Sequence, residues 1–192
     1  LPVIVKDSPG FLVNRILLPY MVEAVWLFTE GVPAATIDRL MLAFGMPMGP
    51  LRLADEVGLD VAQHVAKDLE RRLPSGVPIN DTLEKMVSNG WLGRKSGRGF
   101  YVYEGQKESP APAAEVGFLQ AENPRAHDAA TMSDRLVLIM INEAARVLAE
   151  GVVAAPEDVD FGMIMGTGWA PFRGGPLRHA DAIGAAGISG PY

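Results

Sequence analysis

The chain has 192 residues, 48% of them apolar and 21% charged, a globular composition that excludes a disordered chain. Seventeen lysines and arginines against 23 aspartates and glutamates leave a net charge of −6, which argues against a nucleic-acid partner. Cysteine is absent, so disulfides, thiolate zinc sites and cysteine nucleophiles are excluded, and a cytoplasmic location is expected.

The chain opens with Val3-Ile4-Val5, a β-branched run expected to form a short, vestigial strand whose sheet would lie upstream of Leu1. The first residue is Leu rather than Met, so a piece of a longer chain is expected. Ser8 suits an N-cap and Pro9 the first helical position, which predicts a helix from there to Gly31. Phe11, Leu12, Ile16, Leu17, Met21, Val25 and Phe28 give it an apolar face. Pro19 lies inside it and has no N–H for the Arg15 carbonyl, so a kink is expected there. Further helices are expected over 35–44, 51–57, 60–73 and 81–89, ending at Gly45, Gly58, Pro74 and Gly90. The glycine-rich basic stretch from Gly93 to Gly99 precedes Phe100-Tyr101-Val102-Tyr103. Residues 104–130, rich in Pro, Ala and Glu, are expected to be a flexible linker. A long amphipathic helix follows over 133–150, stopping at Gly151, and Pro156 opens another to about Met165. Neither of the two most apolar runs, Ile16 to Phe28 and Leu136 to Ala149, is long or uncharged enough for a membrane span, and no signal peptide is visible.

The chain also repeats itself. Glu23-Ala24 and Glu30-Gly31-Val32 recur 120 residues later as Glu143-Ala144 and Glu150-Gly151-Val152. Gly49-Pro50-Leu51-Arg52-Leu53-Ala54-Asp55 recurs 126 residues later as Gly175-Pro176-Leu177-Arg178-His179-Ala180-Asp181, with six of seven residues identical. A collinear series of this kind predicts one helical unit present twice, the second copy shortened.

Few residues offer chemistry. His64, His127 and His179 are too scattered for a metal site, and each has a plain structural alternative. Gly97-x-Gly99 neither follows a strand nor opens a helix, so it is no dinucleotide fingerprint. Arg94, Lys95 and Arg98 could meet a phosphate or simply be solvated. Asn14 is an uncharged amide early in an apolar helix. From spacing alone it either satisfies a neighbouring helix or donates to a ligand oxygen in a cleft.

The run Ser8-Pro9-Gly10-Phe11-Leu12-Val13-Asn14-Arg15, then Pro47-Met48-Gly49-Pro50 and Gly93-Arg94-Lys95-Ser96-Gly97-Arg98-Gly99-Phe100-Tyr101, resembles the C-terminal domain of the 3-hydroxyacyl-CoA dehydrogenase family. The second copy, with Asn142-Glu143-Ala144 and Trp169-Ala170-Pro171-Phe172-Arg173-Gly174-Gly175, is similar to the tail of that family's multifunctional β-oxidation subunits. The resemblance implies an all-α, 6-phosphogluconate dehydrogenase C-terminal-like fold of two related units. The expected divisions are a first repeat over 1–103, a linker over 104–130 and a shortened second repeat over 131–192. It implies that Asn14 holds the substrate oxygen and that Met48, Gly49 and Pro50 bind substrate. It further implies an acyl-CoA substrate, an upstream Rossmann domain that binds NAD, and a thiolase subunit as a possible partner. The family's catalytic His–Glu pair, the Ser that holds the substrate oxygen together with the Asn, and the glycine fingerprint would all lie before residue 1. Asn14 aligns with Asp134, and an ionised carboxylate cannot donate, so the second copy is not expected to be a second active site. A packing scaffold without a ligand, or the tail of a related β-hydroxyacid dehydrogenase, are the alternatives.

The two copies are expected to pack about an approximate twofold axis, as single-repeat members of the family do by resemblance when they pair. Residues 1–192 alone should show no micromolar NAD binding in a calorimetric titration, because they lack the glycine fingerprint; micromolar binding would overturn the resemblance-based division of labour.

Overall fold

A computed structural model describes residues 2–72 and 79–188. Nine α-helices and one two-stranded hairpin are found among them. The helices are α1 (Val13–Thr29), α2 (Ala34–Phe44), α3 (Pro50–Val57), α4 (Leu59–Arg72), α5 (Thr82–Ser88), α6 (Ala113–Val116), α7 (Ala129–Ala149), α8 (Pro156–Thr167) and α9 (Pro176–Ile188). Strands β1 (Tyr101–Glu104) and β2 (Lys107–Pro110) form the antiparallel hairpin, Tyr101 opposite Pro110 and Glu104 opposite Lys107. The protein is all-α apart from this hairpin, as expected. The expected end of the fourth helix at Leu73–Pro74 lies outside the described residues.

Three expectations are corrected. Val3 to Val5 forms no strand, because this chain offers it no sheet edge; the Lys6 N–H donates to the Val152 carbonyl at 2.8 Å, and Val3 and Val5 lean on the core instead. The first helix begins at Val13 rather than at Ser8. Gly10 and Phe11 both take left-handed backbone angles, φ 75° and 52°, so residues 8–12 form a tight turn in which the Phe11 N–H donates to the Ser8 carbonyl at 2.8 Å. Residues 104–130 are not a free tether. Besides β2 and α6 they bury Val116 and Leu119, and they finish the first helix. The terminal carbonyls of α1 and its cap, which no helical N–H can reach, accept from Gln120 Nε2 (to Phe28, 3.0 Å), the Ala121 N–H (to Thr29, 2.7 Å) and the Arg125 N–H (to Glu30, 2.9 Å).

One hydrophobic core runs through both copies, and its centre is the antiparallel packing of α1 on α7. The contact is reciprocal. Arg15, buried at the start of α1, donates from Nε to Glu143 (2.8 Å) and from Nη1 and Nη2 to Glu150 (2.6 and 2.8 Å), near the far end of α7. Arg135, near the start of α7, donates from Nε to Glu23 (2.5 Å) and from Nη1 to Glu30 (2.7 Å), at the far end of α1. Each residue of one set lies 120 positions from its counterpart in the other. This is the mark of a twofold interface: where one residue meets a second, the second's counterpart meets the first's. The expected pseudo-twofold packing is present.

Both copies also share a local device. In the first, the buried Asp38 carboxylate of α2 accepts the backbone N–H groups of Leu51 and Arg52, both at 2.9 Å, at the start of α3. In the second, Asp160 of α8 accepts those of Leu177 and Arg178, at 2.8 and 3.1 Å, at the start of α9. A Cβ at Gly49 or Gly175 would collide with these carboxylates, which explains the glycine of both Gly-Pro-Leu-Arg runs. Between the copies, the extra loop of the second reaches back to the first. Trp169 is fully buried with its ring edge-on to Phe44 (5.5 Å between centroids), and Arg173 Nε donates to the Phe44 carbonyl at 3.0 Å.

Removing one partner of a buried ion pair leaves the other uncompensated. Arg15→Ala should therefore destabilise the fold by about 3 kcal/mol, and Arg135→Ala, at the more exposed end of the axis, by about 1 kcal/mol. Urea unfolding of the two variants checks this; equal losses would deny that the two ends differ in burial.

Candidate functional site

The turn at residues 8–12 leads into α1, whose first two residues are not buried while Arg15 and Ile16 are. Asn14, in the first helical turn, is exposed. It stands at the rim of an open cleft of about 430 Å³, a size in the range of small-molecule sites. One wall is Phe11, Leu12, Val13 and Asn14; another is Val3 and Val5; the third is Phe161, Gly162, Met165 and Gly166 of α8. The cleft is therefore built by both copies. No ionisable side chain lines it, and Asn14 brings the one side-chain amide. Asp134, the counterpart of Asn14, is exposed on α7 and carries a carboxylate there.

Met48, Gly49 and Pro50 do not join Asn14: none of the three lines this cleft. Gly49 and Pro50 are buried and Met48 half-buried, at the start of α3 beside the Asp38 carboxylate. What the structure shows for this loop is packing, since Pro47 also covers Gly168 of the second copy.

The basic stretch 93–99 pairs at the surface with the chain's own acids. Lys95 pairs with Asp60 (2.5 Å), Arg94 with Glu56 (3.7 Å) and Glu108 (4.0 Å), and Arg98 with Glu115 while stacking over Trp91 at 4.4 Å. The stretch wraps the buried carboxylate of Asp55. That carboxylate accepts from the N–H groups of Phe100 (3.0 Å) and Tyr101 (2.9 Å) and from the Tyr103 hydroxyl (2.9 Å). Gly99 is glycine because Asp55 occupies the space a Cβ would need. Burial pushes the Asp55 carboxyl up to about 6 against these donors, which hold it down. Tyr101 in turn donates its hydroxyl to Asp38 at 2.7 Å, joining the two carboxylates into one buried network.

The histidines have structural places. His64 is exposed on α4; His127 approaches Glu30 at 2.6 Å; His179 packs edge-on against Phe44 (5.4 Å), where burial and then Arg173 lower its pKa. Among the described residues no group of three His, Asp or Glu is placed to hold a metal ion, and no helix is long and apolar enough to cross a membrane.

Comparison with known proteins agrees with this architecture. The family profile "3-hydroxyacyl-CoA dehydrogenase, C-terminal domain" matches residues 10–103. The fatty acid oxidation complex subunit alpha of Shewanella amazonensis is 40% identical over 190 residues, covering 96% of this chain and 26% of that protein. That of Shewanella baltica is 39% identical over 189 residues, covering 97% and 27%. Residues 10–103 thus belong with the C-terminal domains of the 3-hydroxyacyl-CoA dehydrogenase family. The chain spans about a quarter of the length of these relatives. The dehydrogenase part of multifunctional enzyme 1 from Caenorhabditis elegans superposes with a TM-score of 0.69 at 28% identity, over 88% of this chain and 39% of that one. 3-Hydroxybutyryl-CoA dehydrogenase from Escherichia coli superposes with a TM-score of 0.76 at 23% identity, over 97% and 56%, and shares the fold.

Two features of this family domain escaped the sequence reading. Arg15 and Arg135 keep the same spacing as the repeated glutamates, so the offset that revealed Glu23 and Glu143 also contained the reciprocal pairs. The contribution of α8 to the Asn14 cleft had no signal in sequence, because it depends on how the copies dock.

The Asp55 network yields a prediction. Asp55→Asn removes an acceptor from buried donors and should cost about 2 kcal/mol at neutral pH. The folded carboxyl titrates near 6, above its ordinary 3.8, so the folded state takes up the proton first and wild-type stability from this group grows as pH falls through that window. The deficit of the variant should widen between about pH 7 and about pH 5 in urea titrations; a deficit that narrows would mean that Asp55 is held down rather than pushed up.

Proposed function

We propose that this chain is the substrate-side, C-terminal part of an NAD-dependent 3-hydroxyacyl-CoA dehydrogenase of fatty-acid β-oxidation. Its longer parent would oxidise 3-hydroxyacyl-CoA to 3-ketoacyl-CoA. The observation that supports this best is Asn14: an exposed amide at the mouth of an apolar, uncharged cleft suits a substrate with one oxygen to hold beside a hydrocarbon.

The residues present do not fit NAD. Gly97 and Gly99 flank a turn whose open space is filled by Asp55, and they lead into β1 rather than into a helix. The cofactor would belong to an upstream Rossmann domain, and so would the proton-accepting His–Glu pair. This chain supplies orientation. Asn14 Nδ2 donates to the oxygen on C3 in both the alcohol and the ketone, which fixes which face of C3 is presented, while an uncharged donor leaves a neighbouring base unperturbed. Of Met48, Gly49 and Pro50, Met48 is the one not buried and so left to touch substrate.

In this reading residues 1–103 carry Asn14, 104–130 cap the opposite end of α1, and 131–192 pack against the first copy and supply the α8 wall of the cleft. The relatives are named as subunits of a complex, which supports a second subunit as partner; a thiolase, which consumes 3-ketoacyl-CoA, is the reading carried here, in the cytoplasm. Packing alone, the second reading, is favoured by the reciprocal arginine pairs but leaves the exposed Asn14 without a role.

In the full-length protein, Asn14→Ala should lower kcat by about tenfold to a thousandfold, the scale of one positioned donor, ~1.4–4 kcal/mol. Asp134→Ala should leave it nearly unchanged. Steady-state NADH formation measures both, and equal rates for wild type and Asn14→Ala would remove Asn14 from the site.

A further inference from the structure

We propose that the second copy determines acyl-chain preference, through a lipid-binding face made by Phe161 and Met165 of α8. The inference rests on the dehydrogenase reading above and adds the residues that select among its substrates.

Three observations carry it. First, the cleft at Asn14 is not closed by the copy that owns Asn14. Its far wall is α8, reached because Gly162 and Gly166 let the α1 turn come close; a Cβ at Gly162 would meet Leu12 and one at Gly166 would meet Val13. Second, this face is particular to the second copy. Asp38 and Asp160 do the same work in α2 and α8, 122 positions apart, and on that register Phe161, Gly162, Met165 and Gly166 stand where the first copy has Arg39, Leu40, Ala43 and Phe44. The second copy has two large apolar residues where the first has one charged and one small, and two glycines where the first has two bulky residues. Third, these apolar groups are left open. Met165 is 70% exposed and Phe11, opposite, 55%, and with the half-buried Phe161 they share one cleft, whereas Leu42, Phe118 and Phe172 stand exposed outside it. Exposed apolar side chains gathered at one cleft mark a site of contact.

The occupant is a hydrocarbon chain. A cleft with no ionisable residue suits neither a pyrophosphate nor a charged peptide, and its one amide lies at the rim, so an acyl tail can run along α8 while its C3 oxygen stays at Asn14. A short acyl group would end beside Phe11 and Val13. A longer one would continue onto Phe161 and Met165, and only the longer one gains from them.

The test compares kcat/KM for a short and a long 3-hydroxyacyl-CoA in the full-length protein, followed by NADH formation. Met165→Gln and Phe161→Gln should each lower the long-to-short ratio by about tenfold, the scale of one apolar side chain lost from a hydrocarbon contact. Leu42→Gln, an exposed leucine of α2 away from the cleft, should leave the ratio unchanged. Met165 is exposed enough for the polar substitution to fold, and thermal unfolding verifies that both variants do. An unchanged ratio in both folded variants would overturn the proposal and assign the face to packing against another part of the protein. A wild-type protein that oxidises neither thioester would defeat the dehydrogenase reading itself, and this proposal with it.

Discussion

Two arginines hold this molecule together across its own axis. Arg15 is inside the protein, and a buried guanidinium is tolerable only when its donors are matched by carboxylates. Glu143 and Glu150 supply the match, but they sit on the opposite copy, so the first copy cannot complete its own interior. Arg135 makes the mirrored contacts with Glu23 and Glu30 at the more exposed end. The crossing of α1 and α7 is thereby fixed in register as well as in contact: sliding one helix by a turn would strand two charges at once. The apolar stripes on these helices provide the bulk of the burial, and the charges choose which arrangement of the stripes is allowed.

What surrounds that crossing follows from it. With α1 clamped along its length, its first turn is held at the surface and its last carbonyls are delivered to residues 120–125. The Gly-Pro-Leu-Arg runs, seated on Asp38 and Asp160, lock the next helix of each copy onto its neighbour. In the first copy the lock extends further, through Tyr101 and Asp55, to the hairpin. Arg94, Lys95 and Arg98 are joined to the same assembly by ion pairs at its surface.

The helices were largely legible in the sequence because glycine marks their ends: Gly31, Gly45, Gly58, Gly90 and Gly151 each stand at or just beyond a helix end, and apolar spacing does the rest. The start of α1 was not, because Ser8 and Pro9 carry the ordinary signal for a helix start and only the left-handed angles of Gly10 and Phe11 cancel it. The strand expected at Val3 to Val5 failed for a related reason: β-branching favours extended backbone, but a strand requires an edge to pair with. Residues 104–130 have no periodicity, since their role is to cap α1 and cover a core edge, which needs a few apolar anchors such as Val116 and Leu119. Of the site, Asn14 was visible as a polar residue out of keeping with its helix. The wall facing it was invisible, since it belongs to residues about 150 positions away that only docking brings near.

The cleft shows what covalent linkage does to a symmetric pair. When two identical subunits meet on a twofold axis, every substitution appears on both sides, and a change that helps one face is imposed on the other. Here the copies share one chain and are present in equal number by construction, so each position can vary alone. Gly162 has no side chain where Leu40 has one, and Asp134 carries a carboxylate where Asn14 carries an amide. The axis survives in the arginines, where symmetry stabilises; elsewhere it is relaxed, and a shape no symmetric dimer could hold becomes available to selection.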